Sequence, residues 1–197
     1  MPKVRKPLTC HRVMLRMIST CPAVQWPPPK TPPAELRSAY TMNGKSTLKS
    51  DYRAQRYSGG KSLINSWSPE YIDGLIANRI GISVYHEVVD NYIIPIFDKY
   101  QADIDGQVGM VIGTEKPWVE AHLLATGAKQ VVTLEYGRIE STDPRLTPVL
   151  ASEIAALYLE RGGVQVDFVV TYSSLEHSGL GRYGDALNPF GDMEAMA

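Results

Sequence analysis

The stretch QVGMVIGTEKPWVEAHLLATGAKQVVTLEYGR, residues 107–138, decides the fold. It opens with Val108-Gly-Met-Val-Ile-Gly113, a short apolar run closed by a glycine, the pattern of a buried parallel strand entering a tight turn. Pro117 suits a first helical position, Trp118, Ala121, Leu124 and Ala125 recur at helical spacing, and Gly127 supplies the stop. A second run, Gln130-Val-Val-Thr-Leu-Glu-Tyr136, is β-branched and apolar with an acid near its end. Strand, helix and strand in this compass predict a right-handed βαβ unit. In a doubly wound nucleotide-binding sheet, an acid closing the second strand accepts hydrogen bonds from ribose hydroxyls, which makes Glu135 a candidate. The plainer alternative is a solvated carboxylate at a strand end.

Toward the C-terminus, 145–150 reads as a short third strand, which Pro148 restricts to a sheet edge because it has no amide to donate. Ile154, Leu157, Tyr158 and Arg161 follow at helical spacing until Gly162-Gly163. Residues 166–172, Val-Asp-Phe-Val-Val-Thr-Tyr, form the fourth strand. The glycine-rich segment 173–192 has no periodicity. A connection of that length in a compact domain is functional or disordered, and this one is expected to be ordered: Leu175, Leu180, Tyr183, Leu187 and Phe190 offer apolar anchors, and Arg182 faces acids to pair with at Glu176, Asp185 and Asp192.

Toward the N-terminus, Ser68-Pro69 caps and opens a helix with an apolar face at Ile72, Leu75, Ile76 and Ile80. A second helix is expected from about residue 83 to residue 100, kinked at Pro95. Its stripe of Tyr85, Val88, Val89, Tyr92, Ile96 and Tyr100 reads as core, and His86 beside it as structural. Residues 1–41 read as a disordered arm: six cations precede the first acid, Glu35, and prolines at 27–29, 32 and 33 make a polyproline-II spacer. Those prolines argue against the amphipathic helix of a transit peptide. Two Gly-Lys-Ser segments, Gly44-Lys45-Ser46 and Gly60-Lys61-Ser62, have Ala39 and Gln55 where a phosphate-binding loop needs its first glycine, and they read as surface turns.

With 20 Lys and Arg against 21 Asp and Glu, the net charge of −1 gives no sign of a nucleic-acid or membrane-surface partner. No apolar run is long enough for a membrane span. Cys10 and Cys21 alone make neither a disulfide framework nor a metal site, and no metal ligand set is identified. The compartment is open, with the cytoplasm favoured, and the oligomeric state is open too.

Three segments carry a resemblance to a known family: Val111-Ile-Gly-Thr-Glu-Lys-Pro-Trp-Val-Glu-Ala121, Thr133-Leu-Glu-Tyr136 and Ser173-Ser-Leu-Glu-His-Ser-Gly-Leu-Gly-Arg-Tyr-Gly-Asp-Ala-Leu-Asn-Pro-Phe-Gly-Asp192. Over about residues 42–197 the chain resembles domain-of-unknown-function family 268. The resemblance implies a Rossmann-like fold similar to class I S-adenosylmethionine-dependent methyltransferases, with no established activity. It places Gly113 and Thr114 at the cofactor turn and Glu135 at the ribose. Ser173-Ser-Leu-Glu-His177 is similar to the Ser-x-x-Glu-His after the fourth strand of such enzymes, so that Glu176, His177 and Arg182 face substrate. The residue-level alternative is structural: Glu176 caps backbone amides and His177 packs under the loop. The chain also departs from the usual Gly-x-Gly-x-Gly, reading Gly113-Thr-Glu-Lys-Pro117; Glu115 and Pro117 stand where glycines would admit the cofactor.

The expected architecture is therefore an α/β, three-layer Rossmann-like sandwich at 101–197, with a partial parallel sheet ordered three, two, one, four and a C-terminally truncated outline. A helical segment at 42–100 and the arm precede it. Two functions fit. One is a methyltransferase-like protein binding the small-molecule cofactor S-adenosylmethionine, substrate unknown. The other is a non-catalytic, truncated Rossmann-like binding module.

Overall fold

The structure, a computed structural model, describes residues 29–49, 65–81, 83, 85–114, 116–183, 185 and 187–196. Cys10, Cys21, the Gly60-Lys61-Ser62 segment, most of the basic arm and Glu115 lie outside the described residues. Helix α1 (Ala34–Tyr40) follows the prolines directly. The turn after it holds Gly44-Lys45-Ser46, closed by the Ser46 amide on the Thr41 carbonyl at 2.9 Å. A three-residue strand β1 (Asn65–Trp67) leads into α2 (Pro69–Ala77), where the Ser68 side chain accepts from the Tyr71 amide at 3.3 Å.

The single kinked helix expected next is a broken one: α3 (His86–Val88), a π turn (Val89–Ile93), α4 (Ile94–Lys99) and α5 (Gln101–Ile104). Pro95 has no amide, and the helix absorbs the lost bond just before it, with the Ile94 amide reaching back to the Val89 carbonyl. The expected core stripe is corrected. Val89 is fully buried, but Tyr85, Val88, Tyr92, Ile96 and Tyr100 are 46–67% exposed, and Ile94, Phe97 and Ile104 face the core instead. The helix is apolar on both sides, so periodicity alone does not say which side faces inward.

The nucleus is as expected: β2 (Val108–Ile112), α6 (Trp118–Ala125) and β3 (Gln130–Glu135). Then come β4 (Ile139–Ser141), β5 (Leu146–Leu150), α7 (Ala151–Arg161), β6 (Phe168–Thr171), a 3₁₀ turn (Leu175–His177) and α8 (Gly191–Ala195). The main sheet is β5-β3-β2-β6, parallel throughout, which is the order three, two, one, four of its own strands. Pro148 pairs with Thr133 on the edge strand β5, as its missing donor requires. The departure in detail is a second, two-stranded parallel sheet in which β1 pairs with β4, Trp67 opposite Ser141. Neither three-residue strand is long enough to show a period.

Crossover handedness builds the layers. From β2, α6 leads to β3 on one side, while from β5, α7 leads across to β6 on the other, and two right-handed crossovers running in opposite directions lie on opposite faces. The chain is a mixed α/β Rossmann-like sandwich, and its topological switch point lies between β2 and β6. On the α6 face, Val111, Val131 and Leu146 meet Val119 and Leu123, and this core continues into Ile72, Trp67, Phe97 and Ile104. Arg145 ties the sheet to α2, bonding the buried Asp143 at 2.6 Å and Asp73 at 2.7 Å. No helix among the described residues is long and apolar enough to cross a membrane.

Candidate functional site

The switch point lies between the carboxyl ends of β2 and β6, the place where open α/β sheets leave the crevice that takes ligands. Gly113 sits at its floor, with its amide on the Leu134 carbonyl at 2.9 Å and a φ of 76°, the left-handed region that favours glycine. A Cβ built there would stand 1.7 Å from the Ser174 hydroxyl oxygen and 2.5 Å from the Ser174 Cβ. Gly113 is thus covered by the loop that follows β6.

Thr114 is buried. Its amide donates to Glu135 Oε2 at 2.7 Å, and the Tyr136 amide donates to Glu135 Oε1 at 2.7 Å. Both carboxylate oxygens placed at the ribose position therefore accept from the chain's own backbone. The structure brings Gly113, Thr114 and Glu135 together at adjoining strand ends. Beside them, Glu135, Arg138, Pro148, Leu150 and Glu153 border a hollow of about 40 Å³, room for a few waters against the hundreds of cubic ångströms of an ordinary ligand site.

Glu176, His177 and Arg182 lie along the loop above. Glu176 is 58% exposed, and its Oε1 stands 3.9 Å from His177 Nε2. The half-buried His177 ring meets Tyr183 edge-on at 5.6 Å, and the Arg182 guanidinium lies over the same Tyr183 ring at 5.2 Å. Tyr183 thus gathers two of the three predicted substrate-facing residues.

Among the described residues of the loop, not all the expected anchors are buried: Leu180 and Phe190 are 48% and 59% exposed. Backbone polar contacts hold it instead. The buried Asp185 accepts from the Gly181 amide at 2.9 Å and the Tyr183 amide at 3.2 Å. Gly179, φ 84°, packs so closely that a Cβ would stand 2.0 Å from the Asn188 carbonyl oxygen. Tyr40 of α1 donates its hydroxyl to the Gly179 carbonyl from 139 positions away. Burial, then the charge of Asp185, push the Tyr40 phenol up to about 12, so it stays a donor.

Sequence reading missed two polar groups under the site. Glu120, third residue of α6, is fully buried; Thr133 donates to its Oε1 at 2.9 Å, and its Oε2 has no partner among the described residues. Burial pushes this carboxyl up to about 7; nearby Glu135 adds to the rise, while its own amide and the Thr133 and Thr114 hydroxyls oppose it. His122 is also fully buried, between Phe97 and Trp118, and accepts at Nδ1 from Arg79 Nε at 3.3 Å. Burial, then the Arg79 charge, push it down to about 4. The signal was present: α6 is apolar at 118, 119, 121 and 123–125, so it has no polar face on which Glu120 and His122 could emerge. Among the described residues no group of three or more His, Cys, Asp or Glu could hold a metal ion.

Fold and strand-end crevice define a Rossmann-like α/β protein. Residues 106–197, a little under half of the chain, match the family described as "Caenorhabditis protein of unknown function, DUF268". That span holds the whole four-stranded sheet and the loop after β6. No curated protein and no solved structure matches the chain.

Proposed function

We propose that this chain is a non-catalytic Rossmann-like binding module whose strand-end crevice is closed at Ser174 by the loop that follows β6. The observation that carries this is Ser174 seated on Gly113 at the switch point, where a cofactor's phosphate or carboxylate would need to approach the backbone. Glu135, held by the Thr114 and Tyr136 amides, supports the same reading. So does Pro117, which caps α6 without an amide to offer an anion. Calorimetric titration and thermal shift with S-adenosylmethionine at millimolar concentration test it. The expected result is no heat and no change in melting temperature.

A second reading is favoured by the convergence of Gly113, Thr114 and Glu135 below a loop carrying Glu176, His177 and Arg182. In a methyltransferase-like protein, S-adenosylmethionine would enter after the loop lifts, its ribose hydroxyls replacing backbone amides on Glu135. Glu176 and His177 would then orient substrate or move a proton. Saturable cofactor binding that Glu135→Ala weakens at least tenfold would establish this reading and discard the first.

A further inference from the structure

The broken helix over residues 86–104 is apolar on two sides; among the described residues one side supplies the core, and the other is left about half-exposed, with Tyr85 at its end resting on Tyr172 at 5.6 Å. Val89, Ile94, Phe97 and Ile104 enter the core; Tyr85, Val88, Tyr92, Ile96 and Tyr100 stand 49%, 46%, 67%, 47% and 49% exposed. These five share one face. Steps of four residues advance an α-helical stripe by about 40° each, but the π turn at Val89–Ile93 turns less per residue and cancels part of that drift. Three half-exposed tyrosines, at about 150–250 Å² per aromatic side chain, and two half-exposed aliphatic side chains make an apolar strip of roughly 450 Å², within the range of about 300–600 Å² for the largest patch on a monomer.

We propose that this strip is the interface of a two-fold symmetric dimer with a second copy of this chain, its helices antiparallel and crossing at Tyr92. The spacing is what a two-fold axis needs: Tyr85, Val88, Tyr92, Ile96 and Tyr100 are nearly palindromic about Tyr92, so Val88 faces Ile96 of the other copy and Tyr85 faces its Tyr100. Charge agrees. Glu87 and Lys99 are exposed near opposite ends of the strip, Lys99 over its own chain's Tyr100 ring at 5.4 Å, and antiparallel pairing would bring each Glu87 toward the other copy's Lys99. Two such strips, fully covered, bury about 900 Å² in total, just under the roughly 1,000 Å² at which a stable interface begins, so the dimer is a weak one. A dimer of that size dissociates at low micromolar concentration or above. The strip lies outside the crevice, and the inference stands whichever reading of the crevice holds.

Light scattering on the full chain at high micromolar concentration should give twice the 21.8 kDa chain mass. Tyr92→Lys, at the most exposed position of the strip, should return it to one chain mass with an unchanged circular dichroism spectrum. Symmetry gives a sharper readout in a Cys10→Ser, Cys21→Ser background. Tyr92→Cys should oxidise to a covalent dimer by itself. Val88→Cys alone should not, because its own copy lies about 12 Å along the axis, but a mixture of Val88→Cys and Ile96→Cys chains should cross-link. A wild-type monomer overturns the proposal, whether or not another protein binds the strip. So does a dimer that Tyr92→Lys leaves intact, or equal self-linking at Val88 and Tyr92.

Discussion

Replacing Gly113 with alanine tests whether the crevice is closed in solution. Alanine at a φ of 76° costs about 1–2 kcal/mol in backbone strain alone. The new methyl would also stand 1.7 Å from the Ser174 hydroxyl oxygen, and the Ser174 Cα lies only 3.7 Å away, so the side chain cannot rotate out of reach and the loop must move. Overpacking of that kind costs a further 1–3 kcal/mol or so. Urea unfolding of Gly113→Ala should therefore show a loss of about 2–5 kcal/mol. The strain belongs to Gly113 alone, whereas the clash belongs to the pair. In a double-mutant cycle, Ser174→Gly should recover about 1–3 kcal/mol in the Gly113→Ala background and leave the backbone term behind. Additivity to within about 0.5 kcal/mol would refute the contact, and with it the closure on which the non-catalytic reading rests.

Glu120 and His122 should oppose each other in a stability profile from pH 4 to pH 8. Glu120 keeps in the fold a proton that the unfolded chain releases near 4.5, so its contribution is lost as pH rises from about 4.5 through about 7. His122 stays neutral in the fold until about 4, so its contribution is lost as pH falls from 6.5 toward 4. Each gap corresponds to roughly 3 kcal/mol, and where the two overlap they cancel. Wild-type protein should be nearly flat, Glu120→Gln should gain stability with rising pH, and His122→Asn should lose it; equal slopes in all three proteins would sink the assignment. Arg145→Ala should cost about 3 kcal/mol in urea, because it strands the fully buried Asp143 carboxylate, and Asp143→Asn in that background should recover part of the loss. A loss under about 0.5 kcal/mol would show that water reaches Asp143.

The sheet was legible because its signals are local and mutually consistent. Two β-branched runs flank a helix with a proline entry and a glycine exit, and Pro148 announces an edge. β1 and β4 were not legible, since three residues carry no period and their pairing joins Asn65 to Ile139 across 74 positions. The 85–100 stripe misled for a different reason. Hydrophobic periodicity identifies an apolar face but not its partner, and this helix has two such faces. Glu120 stands in the first turn of α6, where acids are common, and only its bond from Thr133 shows where its carboxyl goes.

The candidate site shows why sequence can nominate residues at the strand ends without reporting what occupies them. A glycine ending the first strand and an acid ending the second are what a nucleotide requires, because a ligand needs close approach at one and hydrogen-bond acceptors at the other. A loop folding back over the same crevice makes the same two demands. Ser174 needs the absent Cβ at Gly113 as a phosphate would, and the Thr114 and Tyr136 amides use Glu135 as ribose hydroxyls would. Composition at these positions therefore reports only that something approaches the strand ends. What separates ligand from loop is the next turn. A bound anion wants consecutive free amides at the helix entrance, and this chain puts Pro117 at the cap of α6 and the buried carboxyl of Glu120 just inside it. An entrance whose cap has no amide suits the Ser174 hydroxyl better than a phosphate or a carboxylate, and on the reading we propose it is closure by the loop that accounts for the residues at both strand ends.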